Sequence, residues 1–163
     1  QWWTNRITGA ASVTVGVVAP VAALLGVPTL DRLDSPSLRV VATAGAVLGI
    51  AGTCAAQLAM GASWRIGVDP AERTHLVTTG PFALVRNPIF TAALLTFTCL
   101  ALVVPNVVAL AGLAVLYAGI QTQVRAVEEP HLLAAHGQAY AAYTGRVGRF
   151  LPGLGRLPST ARA

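Results

Sequence analysis

Residues 88–124, PIFTAALLTFTCLALVVPNVVALAGLAVLYAGIQTQV, decide the fold. They contain no Asp, Glu, Lys or Arg, and their turn signal is the dipeptide Pro105-Asn106. A helix needs about 20 mostly apolar residues to cross a bilayer. The stretch therefore reads as two spans, 88–104 and 106–124, joined by so short a connection that they must form a tight antiparallel hairpin. Whatever precedes Pro88 and follows Val124 is then returned to the same side.

Working outward, residues 7–28 and 38–60 add two further apolar stretches, and the one charge in all four is Arg39, at an end. With 55% hydrophobic and 10% charged residues, a chain of 163 residues has more apolar surface than it can bury within itself, so lipid is its natural solvent. The expected fold class is all-α: an integral membrane protein of four transmembrane helices plus a C-terminal interfacial helix, in a single domain over residues 1–163. Gly16, Pro20 and Gly26 punctuate the first span, and Gly45, Gly49 and Gly52 recur along the second. Small residues at this spacing let helices approach closely in lipid, and the Gly45/Gly49 match to GxxxG is weak evidence for dimerisation in so Gly- and Ala-rich a chain. Cys54 and Cys99 sit inside spans and read as packing residues, with neither disulfide nor metal spacing. The first span lacks the basic leader and cleavage site of a signal peptide. The missing initiator Met suggests a few residues removed ahead of Gln1.

The fourth helix is expected to run on through Glu128 to about His136, with Pro130 bending or restarting it and Gly137 ending it. Beyond it, Tyr140, Tyr143, Val147, Phe150 and Leu151 fall at helical spacing with Arg146 and Arg149 off the stripe, which suggests a short helix lying in the interface. Residues 152–163, rich in Pro, Gly and Arg, read as a loosely held tail.

The net charge of +5 comes from arginine alone. Arg65, Arg73, Arg86, Arg125, Arg146, Arg149, Arg156 and Arg162 share one side of a four-span topology, joined by Arg6, whereas Arg32 and Arg39 on the other are offset by Asp31 and Asp34. The positive-inside rule then puts both termini and the 61–87 loop in the cytoplasm, in an inner or plasma membrane. Arginines that line a membrane edge argue against a nucleic-acid partner.

Two clusters of chemical side chains stand out, and the hairpin forces them onto one face. The first is Trp64-Arg65-Ile66-Gly67 followed by GPFALVRNPIF from Gly80 to Phe90; the second is EEPHLLAAHGQAYAAYTGRVGRFLP from Glu128 to Pro152. Together they resemble the isoprenylcysteine carboxyl methyltransferases and their bacterial and phospholipid-methylating relatives. That pattern runs Gly-Pro-aromatic, three residues, Arg-His/Asn-Pro, one residue, Tyr, then Glu-Glu…Leu…Gly…Tyr…Tyr and a closing Val…Pro, and the match covers roughly residues 64–152. Asn87 stands where the prenylcysteine enzymes have His, although bacterial relatives often carry Asn there, and Phe90 stands where they have Tyr.

The resemblance implies S-adenosyl-L-methionine as cofactor and a lipophilic small molecule, met in the membrane lipid, as methyl acceptor. The cofactor region would be residues 64–90 and 125–152. Glu128 and Glu129 suit the ammonium or ribose, and Arg86 the carboxylate by two parallel bonds, with Asn87 nearby. Phe82, Phe90 and Tyr140 suit the adenine by stacking, with Leu132 packed beneath. Backbone around Leu76 to Gly80 offers amide groups, and Pro81 and His136 complete the expected cofactor-binding set. No metal is implied. Arg125 is the expected group for orienting a carboxylate acceptor, with Arg146 second; a hydroxyl, thiol or amine acceptor needs a base, for which Glu129 or His131 is nearest. Each of these has a plainer reading. Arg86 can be a topology anchor, the glutamates a solvated helix end, the histidines surface residues, and Arg125 with Glu129 a simple i, i+4 ion pair. A membrane reductase of the sterol or enone type, using NADPH without a G-x-G-x-x-G fingerprint, and a non-catalytic scaffold are the alternatives.

Overall fold

A computed structural model describes residues 2–61 and 75–157 of the protein. Among these the chain is helical, its sole sheet-like feature being an isolated bridge between Val85 and Gly148. Helix α1 (Trp2–Val13) passes through a π-helical turn (Thr14–Val18) into α2 (Ala19–Leu24). Next come α3 (Pro36–Met60), the single turn α4 (Pro81–Leu84), α5 (Pro88–Val103) and α6 (Val107–Thr122), which continues through a second π-helical stretch (Gln123–Glu128) into α7 (Glu129–Arg146). The all-α expectation holds. Among the described residues, three continuous helices, Trp3–Leu24, Pro36–Met60 and Val107–Arg146, are long and apolar enough to cross a membrane; Pro88–Val103, read from sequence as one of four spans, is apolar but shorter.

Both π-helical stretches end two residues before a proline, Pro20 or Pro130. Proline inside a helix supplies no N–H to the carbonyl four residues back and crowds it with its ring. Widening the preceding turn relieves that crowding and lets the helix continue. Gly137, expected to end the helix, instead takes a left-handed φ of 52° and kinks it, after which helical turns resume to Arg146. At 1.5 Å per residue the run from Val107 to Arg146 would extend roughly 60 Å if straight, about twice the hydrocarbon thickness. Its second half therefore reaches well beyond its apolar first half.

Helix α3 packs along α5 with the backbones nearly touching. A Cβ on Gly45 would sit 2.6 Å from Cys99 Sγ, and one on Gly49 would sit 2.8 Å from Thr96 N and 2.9 Å from Ala92 O. The GxxxG pair is thus spent inside the molecule, on α5, and the reading that weighed it for dimerisation is replaced by this contact. Helix α1 and the π-helical turn after it pack on α6 in the same way, with Gly119 against Thr8 and Gly112 against Thr14 and Val15. Between α6 and α5, bulk takes over: Ala11, Leu116, Ile120 and Val124 form a buried cluster that Phe90, Leu94, Phe97 and Phe150 cover. Elsewhere the helices present large apolar side chains outward, Leu24, Leu25 and Leu58 being more than 80% exposed, as a lipid-facing surface allows.

The turn of the hairpin is closed by hydrogen bonds. Asn106 is fully buried; its side-chain oxygen caps α6 by accepting from Ala109 N at 2.9 Å, and its Nδ2 donates to Ala19 O at 2.9 Å. Helix α2 ends in a left-handed Gly26, with Val27 N donating to Ala22 O and Gly26 N to Ala23 O, a Schellman closure that leaves few carbonyls bare. Leu30 N donates to Pro105 O at 2.7 Å, tying the first loop to the hairpin turn. Ser35 then caps α3 through Leu38 N.

Candidate active site

The opposite end of the hairpin holds the polar cluster. Gly80, with φ 59°, turns the chain into α4. Phe82 is buried there, and its carbonyl accepts a 2.6 Å hydrogen bond from the Tyr143 hydroxyl of α7. After α4 the chain straightens at Val85 and lies alongside residues 148–149: Arg86 N donates to Gly148 O at 2.8 Å, and Asn87 N to Arg149 O at 3.1 Å. Asn87 Nδ2 reaches the same Arg149 carbonyl, and the Thr91 hydroxyl reaches Phe150 O. Segment 147–157 is therefore bound to the start of α5. The expectation of a loose tail is corrected for residues 152–157, where Arg149 N donates to Leu154 O, Leu157 N to Thr144 O, and Gly155 O accepts from Arg86.

At the centre lie three charged side chains. Arg86, with only 2% of its side chain exposed, donates from Nη2 to Glu129 Oε1 at 2.8 Å and to Gly155 O at 3.1 Å, and from Nη1 to Thr144 O at 3.3 Å. Arg149 grips the same carboxylate with a fork: Nε to Oε1 at 2.7 Å and Nη2 to Oε2 at 3.0 Å. Hydrogen bonding to this carboxylate raises the Arg149 guanidinium still further above its ordinary value, so it stays charged at any physiological pH. Arg86 Nε is buried and has no hydrogen-bond acceptor among the described residues.

The two sequence clusters are thus brought together, Arg86 and Glu129 meeting across 43 residues of chain. Glu129 pairs with Arg86 and Arg149, and the simple i, i+4 ion pair with Arg125 gives way to these contacts; Arg125 is exposed, as is Arg146. Glu128 is half-buried and turns toward Gln123, whose Nε2 lies 3.4 Å from its Oε1, while Gln123 Oε1 accepts from Thr4 of α1. Tyr140 is buried beside Tyr143, their rings 6.2 Å apart. Leu76, Pro81, His131, Leu132 and His136 are partly buried and Gly80 is exposed. Phe90 packs on the α1–α6 core cluster. Trp64-Arg65-Ile66-Gly67 lies outside the described residues.

Sequence reasoning missed Arg149, Gly148 and Gly155. The Arg149 signal was its place in the closing RVGRFLP; the rest is nonlocal, since the partner of Gly148 is the backbone of Arg86. Gly148 admits no side chain, because a Cβ there would meet Leu154 O at 2.6 Å and Gly153 N at 2.9 Å.

Comparison with known proteins adds one match. A family model described as phospholipid methyltransferase fits residues 38–139, well over half of the chain. No curated protein matches it significantly.

Proposed function

Because this chain belongs to the phospholipid methyltransferase family, and so is an integral membrane methyltransferase, we propose that it transfers a methyl group from S-adenosyl-L-methionine to a lipophilic acceptor, at a site formed by residues 76–90 and 125–155. The reading takes the protein as one domain of four spans, with the short apolar α5 as the third and with both termini and the site on the cytoplasmic side. Family membership favours a transferase over the membrane reductase and the scaffold. The observation that carries the proposal is the Arg86–Glu129–Arg149 cluster, which unites the segment entering α5 with the start of α7 and the segment that follows it.

The residues present suit the proposed cofactor. A buried guanidinium N–H without an acceptor and two cations on one carboxylate leave room for an anionic group. Glu128, which has no cation partner among the described ion pairs, suits an ammonium or ribose hydroxyls, and Tyr140, Leu132, Phe82 and the backbone from Leu76 to Pro81 suit a nucleoside. S-adenosyl-L-methionine supplies an electrophilic methyl group on a sulfonium whose positive charge is lost on transfer. A site walled by apolar helices excludes water and favours that loss of charge. Alignment of the two reactants is the other contribution of the chain. Arg125, with Arg146 second, is the group proposed to orient a carboxylate acceptor, and both are exposed. For a hydroxyl, thiol or amine acceptor the base falls to His131, because Glu129 already accepts three hydrogen bonds from arginine.

The test is incubation of membranes containing the protein with methyl-labelled cofactor, followed by extraction of lipids. Label in a lipid-soluble product, absent with Arg86→Ala or Glu129→Ala, is expected. No transfer above that of control membranes, from protein that is folded and embedded, refutes the reading.

A further inference from the structure

Arg86 and Arg149 bring two positive charges to Glu129, and the neighbouring carboxylate, Glu128, turns away to Gln123. In a largely buried setting one unbalanced cation is costly unless an anion joins it. The two arginines are not equally reachable. Arg86 is sealed, and three of its N–H groups are spent on Glu129, Thr144 and Gly155. Arg149 retains 12% exposure, and its Nη1 makes no hydrogen bond among the described residues. Gly155 lies against that edge without adding a side chain to it: at φ 72°, a Cβ there would crowd Arg149 Cβ at 3.3 Å and touch its Nη1 at 3.6 Å. Beside the open edge, Glu129 Oε2 accepts only one hydrogen bond, so about one of the carboxylate's four lone-pair sites is left for a cationic donor. An open guanidinium edge next to a part-used carboxylate complements an oxyanion flanked by an ammonium.

We infer that Arg149, backed by Arg86, is an oxyanion site that takes the carboxylate at the amino-acid end of the methyl donor, and that Glu129 positions both arginines. The inference rests on the donor being S-adenosyl-L-methionine, and it moves the carboxylate contact from Arg86, where sequence put it, to Arg149. A phospholipid headgroup phosphate has the same oxyanion chemistry, so the experiment separates the two sources.

Protein in a phosphate-free maltoside detergent is titrated calorimetrically with S-adenosylhomocysteine, which carries the carboxylate, and with 5′-methylthioadenosine, which keeps the nucleoside thioether but lacks the amino acid. Arg149→Gln is expected to weaken S-adenosylhomocysteine about 10- to 100-fold, the loss typical of a charged hydrogen-bonding pair, and to leave 5′-methylthioadenosine unchanged. Arg149→Lys keeps the charge without the fork and is expected to show a smaller loss of the same selectivity, which provides the readout should the glutamine variant not fold. Equal weakening of both compounds marks Arg149 as merely structural and overturns the inference. Unchanged binding of both, with weakened binding of a short-chain phosphatidylethanolamine, overturns the carboxylate assignment in favour of phosphate. If the wild-type protein binds neither nucleoside, the donor reading itself fails and takes this site with it.

Discussion

The two ends of the α5–α6 hairpin are both polar and both buried, yet they are built to opposite rules. At the turn, Asn106 donates once and accepts once, the loop before α3 is tied to Pro105, and the helix ends are capped. At the open end, two guanidinium groups share one carboxylate and one buried N–H faces no acceptor. A finished hydrogen-bond set makes a rigid pin. An unfinished one, set against so closed a turn, is where the proposed cofactor would complete the structure.

Removing the shared anion should be the most damaging way to break this contrast. Glu129→Gln leaves Arg86 and Arg149 facing each other in a partly buried site, and a loss on the order of 3 kcal/mol or more is expected, read as a lowered melting temperature in detergent. Next, Gly49→Leu drives a side chain into the α5 backbone at Thr96 and Ala92. Overpacking of this kind costs about 1–3 kcal/mol, and it should separate α3 from α5 without altering the charged cluster directly. Asn106→Ala removes a helix cap and frees the Ala19 carbonyl, for about 1–2 kcal/mol; at temperatures where the variant is folded, S-adenosylhomocysteine should bind as in the wild type. If it does not, the two ends are coupled and the contrast fails.

The smallest effect is expected at Asp34, in the loop before α3. A hydrogen bond from the Thr29 hydroxyl, aided by Arg39, holds its carboxyl below the usual carboxylate value. A lowered folded-state value means that the contribution is complete above the ordinary carboxylate range near pH 4 and disappears as pH falls through the lower folded value. Melting curves of wild type and Asp34→Asn should therefore differ slightly near neutral pH and converge on acidification. Divergence in acid would contradict the assignment.

Much of this was legible in the sequence, for physical reasons that particular residues make plain. Uncharged runs give the apolar helices because lipid leaves no other way to satisfy a backbone, and Pro105-Asn106 is too short to do anything but reverse the chain. Those two facts alone bring Arg86 near Glu129. What local pattern does not carry is the identity of a partner. Gly45 and Gly49 announce a close helix contact, but Cys99 and Thr96 of α5, not a second copy, meet them. Phe90 sits in the motif region yet packs on the core, because a helix side chain's direction depends on what surrounds it. Arg149 falls off the apolar stripe and so reads as a solvated residue until the chain folds back along Val85–Asn87. Pro130 signals a break, and the π-helical turn before it absorbs the break instead.

The central claim is that two motifs 43 residues apart form one cofactor site, and a double-mutant cycle in cofactor affinity tests it most directly. S-adenosylhomocysteine dissociation constants are measured for the wild type, Arg86→Gln, Glu129→Gln and the pair. If the residues act as one unit, the double variant should bind little worse than the weaker single variant, a coupling well above the ~0.5 kcal/mol of independent sites. Losses that simply add, or no loss from either substitution, would contradict the account.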